Sequence, residues 1–189
     1  MWLEFECEEV FSEQRPIPDN ATWMLLRGAY VATVGRQFSS IGYGTIGADG
    51  VLVRVKVDYV PGKGRGVFAL EDMPEEGTHV WDALYTARFP SAIEYRRFLA
   101  SIPEDLACDV LIWSYVERSN YKDPSSSRVS LDLDACSFMN NIMDNLEDQN
   151  LANNYRMTRH IWAGEELIVN YEEFVEEGGW EHFGLADYQ

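Results

Sequence analysis

Apolar and polar positions alternate most cleanly over residues 51–57 (VLVRVKV), a pattern that predicts a half-buried strand. Pro61-Gly62-Lys63-Gly64-Arg65-Gly66 interrupts the alternation, and a second strand is expected over 67–70. A bend at 73–77 and a third strand over 78–83 follow. The period then changes. Ser91 and Glu94 form a capping box, and Tyr95, Phe98, Leu99 and Ile102 recur at i, i+3, i+4, i+7, the spacing of a helix with one buried face. Pro103 ends that helix and can begin another, continued by Leu106, Val110 and Trp113. Residues 121–127 (YKDPSSS) read as a surface loop, and strands are expected over 129–133, 155–160 and 167–171, with a turn at Ala163-Gly164. The first fifty residues are less regular. Trp2, Phe5, Phe11, Trp23, Leu25 and Leu26 are apolar anchors, 29–34 reads as a strand, and 39–50 is turn-rich with a hairpin expected at 48–50. The tail from Glu172 is acidic yet contains Trp180, Phe183, Leu185 and Tyr188, which predicts that it docks against other residues.

Composition narrows the class. With 189 residues, 46% hydrophobic and 13% aromatic, the chain can build one domain with a sizeable core. Its aromatic and β-branched content favours a β-rich fold over a helical bundle. The net charge of -17 repels nucleic acid and attracts basic partners, unless it is only a solvated acidic surface. Cys7, Cys108 and Cys136 are odd in number and lack a C-x-x-C, so neither a disulfide framework nor a zinc site is expected, and a reducing compartment fits. The N-terminus has no basic and apolar leader pattern, and no run is apolar enough to span a bilayer. An intracellular location, nuclear or cytoplasmic, is expected.

Candidate chemistry lies mostly in the second half. Asn140 and Asn141 sit in an apolar phrase, Phe138-Met139-Asn140-Asn141. Buried amides must find hydrogen bonds, either from the protein's own backbone or from a ligand. The Gly-x-Gly segment lies between two strands. It reads as a β-turn, because a phosphate-binding loop should open a helix. His79, His160 and His182 are scattered, and no metal-ligand set or Ser/His/Asp triad is expected.

Taken in order, GKGRGVFA, then SFMNN, then TRHIWAGEELIVNY resembles the SET-domain protein lysine methyltransferases. The resemblance covers residues 51–174 and lacks the zinc-binding cysteine cluster that follows some SET domains. It implies a mainly β (β+α) fold of small β-sheets with a C-terminal pseudoknot and a short helical insert. Residues 1–50 would be a flanking segment packed on that domain, and 175–189 an acidic, aromatic tail closing the site. The implied cofactor is S-adenosylmethionine, held by Lys63, Gly64, Arg65, Gly66, Asn140, Asn141 and Trp180. Tyr171 matches the family's catalytic tyrosine, and Trp81, Tyr115 and Tyr155 are candidates for the substrate channel. The implied substrate is lysine in a Lys/Arg-rich protein or peptide such as a histone, with no direct nucleic-acid or membrane partner; the oligomeric state is left open. Bringing a lysine pKa from about 10.4 to about 7 costs roughly 4–5 kcal/mol, which desolvation in an aromatic channel can supply. The alternative is a catalytically weakened SET-fold module that binds a basic peptide, because Asn141-Ile142 stands where the family has His-Ser.

Overall fold

The computed structural model describes residue 7 and residues 15–41, 50–118, 127–142 and 146–185. Within them the protein is α+β, with four α-helices and several small sheets, and no helix is long and apolar enough to cross a membrane. The hairpin expected at 48–50 and the loop expected at 121–127 lie almost wholly outside the described residues. So do Trp2, Phe5, Phe11 and Tyr188. The chain divides into two compact units.

The first unit comprises Met1–Gly42, Tyr85–Leu133 and Val175–Gln189. Its helix α1 (Asn20–Val34) is capped at the N-terminus by Asp19, which accepts the Thr22 amide at 2.8 Å. Residues 29–34 are therefore helix, not the strand expected. The run AYVATV has strand composition, but Trp23, Leu26, Tyr30 and Val34 all fall on one buried helical face, and that longer period wins. Gly35 stops the helix at φ 83, a region that favours glycine.

Helices α2 (Ala92–Leu99) and α3 (Glu104–Trp113) form as the pattern predicts. Ser91 caps α2, accepting the Ile93 amide and donating to Glu94. Tyr95, Phe98 and Leu99 are fully buried, worth roughly 1.5–3 kcal/mol each. They pack with Phe89, whose ring lies 5.1 Å from both Tyr95 and Phe98 and 5.2 Å from Tyr30. Phe89 belongs to β3 (Thr86–Phe89), which pairs antiparallel with β5 (Arg128–Asp132). On the other side of β5 lies β4 (Tyr115–Glu117), giving the order β3-β5-β4. The short helix α4 (Gly179–His182) packs on β4 so closely that a Cβ on Gly179 would sit 2.6 Å from Val116.

Cys7 and Cys108 form a disulfide within this unit, while Cys136 is free and buried. This corrects the expectation of unpaired cysteines. A separation of 101 residues leaves no spacing signature, because tertiary folding alone brings the two together. The cysteines thus no longer argue for a reducing compartment. Arg15 adds an ion pair to Asp109, the neighbour of Cys108, at 3.3 Å.

The second unit comprises Tyr43–Leu84 and Asp134–Phe174. Strands β1 (Val55–Val60) and β2 (Gly64–Ala69) form an antiparallel hairpin in the register Val57↔Val67. Strand β2 starts earlier than expected, so Gly64, Arg65 and Gly66 lie in the strand and the turn is residues 61–63. The strands expected over 78–83 and 155–160 are absent. Isolated bridges stand in their place, His79↔Arg156, Val51↔Trp81 and Leu151↔Met157. Tyr155 adopts φ 56, and this left-handed residue breaks any continuous ladder there. Two-residue strands β6 (Asn140–Asn141) and β7 (Ile168–Val169) pair in parallel, β7 being the core of the strand expected over 167–171. The segment before β7 is tied to β2 by Ala69 N to Glu165 O at 2.9 Å and Leu167 N to Val67 O at 2.7 Å.

Candidate functional site

Three segments far apart in sequence meet in the second unit: the Gly-x-Gly strand β2, the Asn pair of β6, and the stretch from Glu165 to Tyr171. Their contacts are polar and specific. Asn140 donates from Nδ2 to the Arg65 carbonyl at 2.9 Å and to Glu166 Oε1 at 2.6 Å. Glu166 also faces the Lys63 ammonium at 3.8 Å. Gly66 lies between these groups. A Cβ there would come within 2.6 Å of both Glu166 Oε1 and Val60 and 3.2 Å of Asn140 Nδ2, so the approach requires glycine. Gly64 takes φ 85 at the start of the strand, a second position where glycine is favoured.

Asn141 accepts the Tyr171 backbone N–H through Oδ1 at 2.8 Å, and Ile142 N donates to Val169 O at 3.0 Å. These bonds extend the parallel pairing beyond β6 and β7. Tyr171 then turns its hydroxyl back to donate to the Met139 carbonyl at 2.8 Å, with its ring 5.5 Å from Phe174. A phenol has one hydrogen, and here it is committed to Met139. Towards any further group the Tyr171 oxygen therefore acts as an acceptor.

The Asn pair thus meets about half of its side-chain hydrogen-bond demand internally, through Asn140 Nδ2 and Asn141 Oδ1. Both side chains are half-buried. No hydrogen bond among the described residues engages Asn140 Oδ1 or Asn141 Nδ2. One acceptor and one donor of the pair remain available to a polar ligand. Arg65 behaves differently. Its side chain is buried with the guanidinium 4.3 Å over the Phe138 ring, so the group it presents to Asn140 is its backbone carbonyl.

The expected channel residues Trp81, Tyr115 and Tyr155, and Trp180, expected at the cofactor, fall in different places. Trp81 is 1% exposed, with its indole N–H given to Asp134 Oδ2 at 2.9 Å and its ring 4.4 Å from Tyr155 in an edge-on contact. That is the environment of a packed core residue. Tyr155 is half-buried and holds the left-handed backbone noted above. Tyr115 and Trp180 belong to the first unit. There the Tyr115 hydroxyl reaches Asp132 Oδ2 at 3.4 Å, and the Trp180 ring lies 6.0 Å from Tyr95.

Two supporting residues escaped the sequence reading. Asn150 is 0% exposed and uses both ends of its amide, donating to Glu166 O at 2.8 Å and accepting Ile168 N at 2.8 Å. It fixes the chain on both sides of Leu167 and so sets where β7 begins. Asn170 is buried and accepts the Glu172 amide at 3.0 Å, capping the turn that contains Tyr171. Beside them, Glu165 accepts the Trp162 amide at 2.9 Å and pairs with Arg159 at 2.6 Å. Burial works to raise its pKa, but the Trp162 amide, Arg159 and Asn150 outweigh it and hold the carboxyl below its ordinary value. Asn150 sits in a polar run (EDQNLANN) that looks like loop, and only its contacts distinguish it.

Among the described residues no group of three or more His, Cys, Asp or Glu side chains is arranged to hold a metal ion. No family model matches the chain, and no curated protein matches it.

Proposed function

We propose that the chain is a SET-type, S-adenosylmethionine-dependent methyltransferase that transfers a methyl group to lysine in a basic protein. One observation carries the proposal: the Asn140–Asn141 strand, the Gly-x-Gly strand and Tyr171 are joined by direct hydrogen bonds. The order of motifs suggested the family, and the mutual contacts of those motifs support it. The pseudoknot belongs to the same proposal.

The residues present fit the cofactor's chemistry. Its methionine end has a cationic amine, and Asn140 Oδ1 is an uncommitted, half-buried acceptor. Its carboxylate requires donors, and Asn141 Nδ2 is one. Nothing lies within 4 Å of a Cβ built on Gly64, so the backbone there can approach a ligand closely. When bound, S-adenosylmethionine supplies an electrophilic methyl group on a sulfonium.

The chain's own residues would prepare the amine. Tyr171, with its hydrogen committed to Met139, would accept an N–H from the incoming lysine and hold its lone pair in line. The same oxygen favours the carbon-bound hydrogens of a polarised methyl. Its anchoring by Met139 O and by Asn141 fixes that oxygen before substrate arrives, so positioning rather than a strong base would supply the rate. A net charge of -17 would steer a Lys/Arg-rich segment towards the protein.

The test is labelled-methyl transfer to a panel of basic proteins, with Tyr171→Phe as control. The expected result is transfer by the wild type and a loss of about 10- to 100-fold in the variant, the worth of one hydrogen bond to a charged or reacting group. Equal labelling by both proteins removes Tyr171 from the reaction centre. A second reading is a module that binds a basic peptide without methylating it. It is favoured by Asn141 Oδ1 being committed to the Tyr171 amide, a structural task that does not require a cofactor. Peptide binding in the absence of any cofactor binding would select it.

A further inference from the structure

An asparagine amide has nearly the same shape at its two ends, so its neighbours decide which end faces which way. At Asn140 two acceptors converge on one side of the amide, the Arg65 carbonyl at 2.9 Å and Glu166 Oε1 at 2.6 Å. Turned the other way, Oδ1 would meet both of them, acceptor against acceptor, and one of the two is a carboxylate. The Nδ2 end is therefore held towards Arg65 and Glu166. The opposite end, Oδ1, is the acceptor that no hydrogen bond among the described residues engages.

Glu166 is itself fixed in place. Its carbonyl accepts Asn150 Nδ2 at 2.8 Å, its backbone bridges to Phe68 of β2, and the next residue donates from Leu167 N to Val67 O at 2.7 Å. Its side chain is 18% exposed and lies over Gly66, where a Cβ would come within 2.6 Å of Oε1. The second oxygen, Oε2, faces the Lys63 ammonium at 3.8 Å. Lys63 thus meets this cluster through Glu166. A hydrogen bond to a charged acceptor is worth more than one to a neutral carbonyl, so Glu166 holds the Asn140 amide more strongly than Arg65 O does.

We infer that Glu166 is a positioning residue for the Asn140 site: its carboxylate holds the amide with Oδ1 presented outward, and so makes the site select a ligand that carries an ammonium group. S-adenosylmethionine as that ligand rests on the function proposed above, whereas the orientation of the amide does not. Glu166→Gln keeps the shape of the side chain but replaces the carboxylate with an amide that can donate as well as accept. A turned Asn140 amide would then find a donor at residue 166 and would be opposed by Arg65 O alone. An Asn140 that presents its NH2 end outward repels an ammonium group instead of accepting from it.

Two readouts on the full chain test this. The first needs no ligand and follows the Asn140 side-chain amide by nuclear magnetic resonance. In wild type the Nδ2 hydrogens should show Overhauser contacts to the Gly66 α-hydrogens, since Nδ2 lies 3.2 Å from a Cβ built there. They should also exchange slowly with water, and Glu166→Gln should speed the exchange of at least one of them by about tenfold or more. The second readout is calorimetric titration with S-adenosylmethionine and with its analogue lacking the α-amine. Wild type should bind the amine-bearing ligand at least about tenfold more tightly, Glu166→Gln should lose most of that preference, and Lys63→Met should keep most of it. Absence of the Gly66 contacts in wild type overturns the inference, as does unchanged Asn140 exchange or an unchanged preference in Glu166→Gln. A larger loss in Lys63→Met than in Glu166→Gln also overturns it, by assigning the selection to Lys63. No heat from either ligand in wild type overturns the cofactor reading and the selection built on it, while the resonances still decide the orientation of the amide.

Discussion

Tyr171 and Asn141 show how individual residues can be legible while their roles are not. An Asn pair inside an apolar phrase signals a hydrogen-bonding demand, and the pair does make such bonds, to Arg65 O and to the Tyr171 amide. Asn150 gave no such signal, because asparagine in a polar run is ordinary and only its full burial sets it apart. Asn150→Ala should leave the Ile168 amide and the Glu166 carbonyl without partners in a buried place. The expected loss is about 2–4 kcal/mol in urea unfolding, and a loss below about 0.5 kcal/mol would show that those groups find other partners. Gly66→Ala tests the close approach of β2 to Glu166. With Val60 and Glu166 both 2.6 Å from the new Cβ, it should lower stability and weaken any ligand held by Asn140.

At the scale of elements, sequence was most readable where one face is buried against a single layer. The capping box and the spacing of Tyr95, Phe98 and Leu99 located α2 closely, and Ser91→Ala should cost about 1 kcal/mol through the lost cap. The alternation over 51–57 located β1 only in part, since the strand runs Val55–Val60 and Val51 makes only an isolated bridge to Trp81. Reading failed where tertiary contacts override local preference. The β-type composition of residues 29–34 yielded to a helical buried face, and the expected strands near His79 and Arg156 reduced to bridges around the left-handed Tyr155. The turn before β7 carries a pH dependence. Glu165 is held below its ordinary pKa of 4.5 in the folded state, so it protonates less readily there than in the unfolded chain. Its contribution is fully present above about pH 4.5 and is lost as pH falls through the folded value. Urea midpoints at pH 7 and near pH 3.5 should therefore differ less in Glu165→Gln than in wild type. An unchanged difference would assign the acid sensitivity to other carboxylates.

For the whole molecule, composition indicated a single core-forming chain with β content but could not foresee two interleaved units or the Cys7–Cys108 bond. Both depend on contacts between residues far apart in sequence. Closing a loop of 101 residues in the unfolded chain is worth about 4–5 kcal/mol in the loop-entropy account. Cys108→Ser should lower stability by an amount of that order, and a reductant should affect the wild type but not the variant. The acidic charge would favour a basic substrate for the proposed transfer.

The proposed cofactor site is tested most directly by calorimetric titration of S-adenosylmethionine into the intact protein, in parallel with Asn140→Ala. If the Asn140–Tyr171 cluster holds the cofactor, the wild type gives saturable heat with one site per chain and the variant binds at least about tenfold more weakly. Absence of heat from the wild type at millimolar ligand, or equal affinity in the two proteins, would contradict the account.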